Sequence, residues 1–204
     1  SVAEFASSKG IPLLQPEKPN AALADWLCAQ KVALAFVMAY GHFLPKAVRE
    51  APRHGMLNFH ASILPAYRGA SPVEAAIAHG EVETGVSLMQ VVKEMDAGAV
   101  ADCKRLSIEN VDTSSSVRSK VGQAVITLLE RNLKASLLGA LNLLPQNASL
   151  ATQCRKIKKE DGALDFAQPA ASIDARLRAF TPWPGGYFDH GETRIKVGKC
   201  SLAE

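Results

Sequence analysis

The longest uninterrupted apolar run in the chain is VALAFVMAY, residues 32–40. Its length suits a β-strand, and an apolar run without alternation is typical of a strand that is covered on both faces. The segments on either side, AALADWLCAQ before it and PKAVREAP after it, have helical patterns. A covered strand between two helices predicts a layered α/β sheet in this part of the chain.

Strand-like and helix-like segments continue to alternate after this run. GMLNFHAS is the next predicted strand, and ETGVSLMQVV and GAVADCKRLSI are two more. SPVEAAIAHG is a predicted helix, with Ser71 as its N-cap and Pro72 at its first position. The longest predicted helix begins after Asp112 or Thr113 and carries one apolar stripe. We therefore predict an α/β fold with a doubly wound, mostly parallel, Rossmann-like sheet.

The composition changes after Pro145, where the chain becomes polar and includes a basic run from Arg155 to Lys159. We assign residues 1–145 to the α/β domain, 146–160 to a linker and 161–204 to the start of a second, β-rich domain. The second unit has a short helix, ASIDARLRAF, and a hairpin signal at HGE. Trp183, between two prolines, is predicted to be a packing anchor.

Charge and cysteine content limit the classes of function that the chain can have. The formal net charge of +3 is too small to indicate a nucleic-acid-binding protein by itself. The cysteines have no CxxC spacing, which favours free thiols in a cytoplasmic protein; they are Cys28, Cys103, Cys154 and Cys200. No apolar run reaches the about 18 residues of a membrane span, and no signal-peptide pattern is visible.

Polar side chains at Asn58 and His60 stand out within a predicted strand. Residues two apart on a strand face the same side, so these two project together while Leu57 and Phe59 face the other side. They could be a hydrogen-bonded pair in the core or part of a site. Asp96, in the MDAG loop between two predicted strands, adds a carboxylate where α/β sheets commonly bind ligands.

An amide, an imidazole and a carboxylate together suit acyl transfer. The amide and the imidazole can donate hydrogen bonds to a developing oxyanion, and the carboxylate can orient the imidazole or take a proton. No Ser or Cys lies in a recognised nucleophile elbow. The chemistry predicted from these residues is therefore direct attack by the nucleophile of the substrate itself.

The segment from Leu57 to Val100 closely resembles the 10-formyltetrahydrofolate-dependent formyltransferases. Their pattern is N-x-H, then S-L-L-P-x-x-R-G, then T-G-V, then D-x-G, and all four occur in order, with Ile63 as a variant. AYGHFLPKAV, KIKKEDGALDF and RAFTPWPGGYF extend the resemblance over nearly the whole chain. These segments are most similar to the branch of the family that formylates methionyl-tRNA.

The resemblance implies roles for particular residues. Asn58 and His60 would stabilise the tetrahedral oxyanion, and Asp96 would fix His60 and help to remove the amine proton. Arg68 is interpreted as a structural residue that pins neighbouring carbonyls, in a motif with Ser62, Pro65 and Gly69 that shapes the site. The implied folate-binding residues, most acting through backbone groups, are His42, Phe43, Leu44, Ser62, Val92, Lys93, Glu94 and Met95.

The implied function is transfer of formyl from 10-formyltetrahydrofolate, a co-substrate, to the α-amine of methionyl-tRNA, without a metal. The implied protein is cytoplasmic, monomeric and not membrane-bound, with an OB-like β-barrel as its C-terminal domain. A related enzyme acting on another amine, such as an amino sugar nucleotide, and an inactive folate-binding fragment remain alternatives. The basic run from Arg155 to Lys159 could face tRNA phosphate or form a solvated linker.

The chain departs from the family at both ends. Family members begin with a strand and a GTP-x-F-A turn, which do not occur here, and the predicted barrel stops after its first strands. The resemblance places the absent strands between IPLLQP, expected as a strand, and the run at residues 32–40. We therefore expect the 204 residues to belong to a longer polypeptide and not to be a self-sufficient catalyst.

Overall fold

The computed structural model describes residues 2–200 and contains alternating helices and strands. The elements are α1 (Val2–Ser8), α2 (Ala21–Ala29), β1 (Ala35–Val37), α3 (Lys46–Arg49), β2 (Met56–His60), β3 (Arg68–Gly69), α4 (Pro72–Ala78), β4 (Glu83–Gln90), β5 (Val100–Ser107), α5 (Ser114–Leu137), β6 (Gln153–Cys154), α6 (Ala170–Ala179), β7 (Gly186–His190) and β8 (Thr193–Val197). Two 3-10 helices, Ala148–Leu150 and Lys159–Gly162, flank β6. The predicted α/β class is confirmed.

The main sheet has the strand order β1-β2-β4-β5. β1 and β2 are parallel, whereas the β2–β4 and β4–β5 pairings are antiparallel. The Rossmann-like class holds, but within residues 2–200 the sheet is mixed rather than mostly parallel. The reason at β5 is the connection of residues 91–99, which is shorter than the dozen or so residues that a parallel crossover needs.

Helices cover the sheet on both faces. On one face, Leu57 and Phe59 of β2 pack in a core with Val73 and Ile77 of α4 and with residues of α5 such as Leu128. On the other face, a second cluster is built by Met56, Ala24, Leu27 and Val48, from β2, α2 and α3. A doubly wound sheet has helices on both faces, and this packing provides them. The even-numbered side chains of β2 lie on the second face.

The predicted strand at residues 32–40 is shorter and less covered than its sequence suggests. Only Ala35–Val37 is a strand, with Lys31 and Ala39 in the left-handed backbone region on either side. Among the described strands, β1 pairs with β2 alone; its Phe36 is 36% exposed, and Met38, just beyond the strand, is 48% exposed. The expected cover on both faces is therefore incomplete, and residues 11–16, also expected as a strand, have no regular structure.

The long helix α5 forms as its sequence predicts. Thr113 is the N-cap and makes a capping box with Ser116. Its buried apolar positions include Val117, Val121 and Leu128, whereas Leu133, at the end of the predicted stripe, is 40% exposed. Across residues 2–200, no helix combines the length and apolar character needed to cross a membrane.

The segment predicted as a linker is packed against the α/β unit. β6 pairs in parallel with β3, so that Arg68 lies opposite Gln153 and Gly69 opposite Cys154. Beyond it, α6 contributes Ala179 to the main core, and β7 and β8 form the expected hairpin. The division at residues 145 and 160 remains a prediction, because these contacts join segments on both sides of it.

Candidate active site

Strand β2 sets the positions of Asn58 and His60. His60 is 5% exposed, and Asn58 is half-buried. Because Leu57 and Phe59 pack in the core with α4 and α5, the two polar side chains share the opposite face. Residues two apart on a strand are separated by about 6.5–7 Å, so one small substrate group could contact both side chains.

The His60 imidazole lies between a backbone carbonyl and a carboxylate. Its Nε2 is 2.8 Å from the carbonyl oxygen of Tyr67, which can only accept, so Nε2 carries a proton. Its Nδ1 is 3.6 Å from Asp96 Oδ2, which is close but longer than a direct hydrogen bond. This separation confirms the predicted convergence of His60 and Asp96, and it leaves Nδ1 as the ring nitrogen that faces the site.

The turn between β2 and β3 is built on buried serines. Ser62 has no exposed surface, and its hydroxyl donates to the carbonyl of Ala66 at 2.6 Å. Ser87 of β4 donates to the carbonyl of Ser62 at 2.7 Å and accepts from the amide of Leu64 at 3.1 Å. Ser62 therefore shapes the turn that presents the Tyr67 carbonyl to His60, as its motif predicts.

Tyr67 is held at both ends. Its backbone is in the left-handed region, at φ 58°, and its amide donates to Thr152 Oγ1 at 2.8 Å. Its hydroxyl donates to Glu81 at 2.6 Å. Burial, together with the hydrogen bond and charge of Glu81, raises the pKa of the Tyr67 phenol. The carbonyl that accepts from His60 is therefore part of a fixed residue.

Asp96 is held at a defined place on the loop between β4 and β5. Its backbone also lies in the left-handed region, at φ 50°, which Asp tolerates better than most residues. Its Oδ2 accepts a hydrogen bond from the amide of Gly69 at 2.8 Å. A Cβ on Gly69 would lie 2.0 Å from the carbonyl oxygen of Cys154, and φ there is 121°, so only glycine allows this approach.

Arg68 is structural, as the sequence predicts, but its partner is a side chain and not a carbonyl. The residue is 9% exposed, and its Nε and Nη2 donate to Gln146 Oε1 at 3.0 and 2.7 Å. Gln146 Nε2 in turn donates to the carbonyls of Asp96 and Gly98, at 2.8 and 2.7 Å. Gln146 was not predicted as a site residue, because no local sequence pattern connects it to residues far earlier in the chain.

The cysteine at position 154 also borders the site. Its thiol lies 3.3 Å from the carbonyl of Tyr67, the same oxygen that accepts from His60. Burial raises the pKa of the Cys154 thiol, and the charges of Asp96 and Glu74 act in the same direction. All four cysteines are free, as predicted. A protonated Cys154 thiol supports the turn and is a poor nucleophile.

Seven of the eight predicted folate-binding residues lie on two segments near the surface. The eighth, Ser62, has no exposed surface, and its hydroxyl already donates to the carbonyl of Ala66, so its side chain does not face a ligand. Phe43 is 63% exposed, the rings of Tyr40 and His42 are 5.6 Å apart, and the carbonyl of Leu44 accepts from Arg49. Val92 is half-buried, whereas Lys93, Glu94 and Met95, next to Asp96, are exposed. A cavity of about 480 Å³ beside β1 includes Leu44 but not Asn58, His60 or Asp96. Folate contacts at these residues stay a prediction.

Two family models match the chain. The formyl transferase model matches residues 2–133, and the model of the formyl transferase C-terminal domain matches residues 156–204. The chain belongs to the formyl transferase family. In this chain, the four-part pattern lies on β2, on the turn leading to β3, on β4 and on the loop between β4 and β5.

Curated relatives of this chain carry a common name. The chain is 42% identical over 200 residues to the methionyl-tRNA formyltransferase of Myxococcus xanthus, covering 98% of this chain and 64% of that protein. It is 41% identical over 189 residues to the methionyl-tRNA formyltransferase of Sorangium cellulosum, covering 92% and 61%. The chain thus spans less than two thirds of the length of these relatives.

Solved structures share the fold of this chain. A 4-N formyltransferase from Francisella tularensis superposes with a TM-score of 0.80 at 17% identity, covering 99% of this chain and 82% of that one. HypX from Aquifex aeolicus, in complex with tetrahydrofolic acid, gives 0.74 at 18% identity, covering 89% and 32%. At such identities the likeness establishes the fold alone.

Possible metal ligands do not gather in the part of the chain that the structure covers. No group of three or more His, Cys, Asp or Glu side chains occurs there with metal-binding geometry.

Proposed function

We propose that the protein containing this chain transfers a formyl group from 10-formyltetrahydrofolate to the α-amine of methionyl-tRNA. The observation that carries the proposal is the approach of His60 Nδ1 to Asp96 Oδ2, on the strand face that also bears Asn58. Similarity to the named methionyl-tRNA formyltransferases over 92–98% of the chain supports this acceptor.

In the proposed reaction, the amine attacks the formyl carbon, and the carbonyl oxygen becomes an oxyanion. Asn58 can donate its amide N–H to that oxygen. His60 can donate only through Nδ1, because Nε2 already donates to Tyr67, and only when Nδ1 also carries a proton. Asp96 Oδ2 lies 3.6 Å from Nδ1, beyond direct hydrogen-bond distance, so its negative charge attracts the Nδ1 proton while leaving that N–H able to donate to the oxyanion.

Collapse of the intermediate completes the transfer. The bond between the formyl carbon and N10 of the folate breaks, N10 takes a proton, and the amine loses one. Asp96 is the carboxylate next to the reacting atoms in this proposal, so it accepts the amine proton directly or through a water molecule. Tetrahydrofolate and N-formylmethionyl-tRNA are the products.

The remaining parts of the proposal concern binding and location. The backbone groups of residues 42–44 and 92–95 would line the pterin site. In the basic run, Arg155 is paired with Asp161, whereas Lys156, Lys158 and Lys159 are exposed and could contact tRNA phosphate. We further propose a monomeric, cytoplasmic protein that is not membrane-bound, as expected for an enzyme acting on aminoacyl-tRNA.

The identity of the acceptor can be tested by comparing kcat/KM for the two candidate amines. We expect the natural full-length protein to form N-formylmethionyl-tRNA from 10-formyltetrahydrofolate, with a kcat/KM at least 100-fold higher than for an amino sugar nucleotide. The measurement is the initial rate with each acceptor, using radiolabelled formyl donor. Formylation of the sugar amine in preference to methionyl-tRNA would overturn the proposal. Folate binding without transfer to either would support an inactive folate-binding protein.

A further inference from the structure

The side chain of Gln146 uses both ends of its amide to join two parts of the candidate site. Its oxygen accepts from Arg68 Nε and Nη2, at 3.0 and 2.7 Å. Its nitrogen donates to the carbonyls of Asp96 and Gly98, at 2.8 and 2.7 Å. A neutral amide offers two acceptor positions and two donor hydrogens, so this arrangement satisfies all of them.

The loop that carries Asp96 needs such an anchor. Its backbone at Asp96 is in the left-handed region, and the neighbouring Met95 is 66% exposed, so little packing holds it from the outside. The carboxylate itself is held by one hydrogen bond, from the amide of Gly69. Gln146 fixes the carbonyl of Asp96 and that of Gly98, which lies two residues further along the chain.

Arg68, the residue that Gln146 contacts on the side away from the Asp96 loop, is held in place. Arg68 is 9% exposed, and its backbone amide donates to the carbonyl of Thr152 at 2.9 Å in the β3–β6 pairing. Gly69 follows Arg68 on the same short strand and donates to Asp96. The carboxylate of Asp96 and the backbone of its loop are therefore both anchored to one fixed element, β3.

We propose that Gln146 is a positioning residue for Asp96. By holding the backbone on the C-terminal side of the carboxylate, it keeps Oδ2 turned toward His60 Nδ1. The kinetic part of this inference rests on the proposed function. The geometric part does not, because the environment of His60 can be measured without any turnover.

A selective variant is Gln146→Glu in the natural full-length protein. Glutamate keeps the length and the acceptor for Arg68 but loses both donors to the loop carbonyls. The matched control is Asn147→Asp, which adds the same charge at the next residue, where the side chain contacts only Ser149 among the described hydrogen bonds. We expect kcat to fall about 10–100-fold in Gln146→Glu, with KM for the folate nearly unchanged, because misplacement of a reacting group lowers the rate of the chemical step.

The second readout is the ¹⁵N chemical shifts of the His60 ring nitrogens by NMR. We expect the Nδ1 resonance to move in Gln146→Glu and to stay in place in Asn147→Asp. Unchanged ring shifts and unchanged kcat, with only a lower melting temperature, would show a merely structural role and overturn the inference. If Gln146→Glu does not fold, Gln146→Met, which removes the hydrogen bonds without adding charge, is measured in the same way.

The two readouts separate this inference from the proposed function. If the wild-type protein transfers no formyl group but the His60 shifts respond to Gln146→Glu, the proposed function fails and the positioning role stands. If transfer to methionyl-tRNA is robust and neither kcat nor the ring shifts respond, the positioning role fails and the proposed function stands.

Discussion

Replacing Asn58 by alanine is expected to lower kcat for formyl transfer by about 100–1,000-fold, which corresponds to the loss of one oxyanion donor. The KM for the formyl donor should change little, because the amide hydrogen bond strengthens only as negative charge develops on the formyl oxygen. The measurement is steady-state kinetics of the natural full-length protein with methionyl-tRNA and 10-formyltetrahydrofolate.

The control for this prediction is Asn110→Ala. Asn110 is exposed in the connection between β5 and α5, and its replacement removes the same amide without reaching the site. Wild-type kcat in Asn58→Ala would remove Asn58 from the mechanism. A raised KM with an unchanged kcat would instead assign Asn58 to ground-state binding of the substrate.

Replacing Gly98 by alanine is expected to damage both stability and activity. A Cβ at Gly98 would lie 1.8 Å from the carbonyl oxygen of Gln90 and 2.8 Å from its carbonyl carbon. This backbone cannot move freely, because the amide of Gln90 donates to the carbonyl of Ala99 at 2.9 Å. We expect a loss of about 2–4 kcal/mol in the free energy of unfolding, as overpacking against backbone produces.

The activity loss follows from the position of Gly98 in the loop. The shift that relieves the clash would move the carbonyl held by Gln146 and, two residues earlier, Asp96. We expect kcat to fall at least about 100-fold under conditions where the variant remains folded. Stability is measured by urea denaturation followed by circular dichroism, and activity by the formylation assay.

Gly122→Ala is the matched control. Gly122 lies within α5, and apart from its chain neighbours and the helix's own nearby backbone no heavy atom lies within 4 Å of the Cβ that alanine would add. Alanine is favoured over glycine in a helix by about 0.5–1 kcal/mol, so this variant should be slightly more stable and fully active. A Gly98→Ala protein that matched it in stability and rate would refute the close-approach argument.

The sequence predicted the parts of the site that depend on local patterns. The alternation of β2 puts Asn58 and His60 on one face, and the MDAG loop brings Asp96 within 3.6 Å of the imidazole. α4 begins after Ser71 with Pro72 at its first position, and α5 begins after Thr113, both where expected. Thr113 makes the predicted capping hydrogen bond, whereas the Ser71 hydroxyl accepts instead from the amide of Ile157.

Contacts between distant segments could not be predicted from local patterns. The polar composition after Pro145 suggested a linker, yet Gln146 holds the Asp96 loop and Gln153–Cys154 form a strand against Arg68–Gly69. From sequence alone, a polar side chain such as that of Gln146 is expected to be solvated. Here its amide nitrogen instead donates to backbone carbonyls inside the protein.

The burial of particular apolar residues also could not be predicted from the sequence. The run at residues 32–40 was expected to be covered on both faces, but only three of its residues form a strand and Met38 is 48% exposed. Trp183, expected to anchor packing, is 53% exposed. Hydrophobicity favours burial, but the neighbouring elements decide whether a given side chain is covered.

The most direct test of the central claim is a crystal structure of the natural full-length protein with a bound formyl-folate, such as folinic acid. We expect the pterin ring against the backbone of residues 42–44 and 92–95, with N10 of the folate beside Asn58 and His60, so that the oxygen of a formyl group on N10 would lie within hydrogen-bond reach of both side chains. Asp96 would remain beside His60. A folate seated elsewhere, for example in the cavity beside β1, with Asn58 and His60 out of contact, would contradict the account.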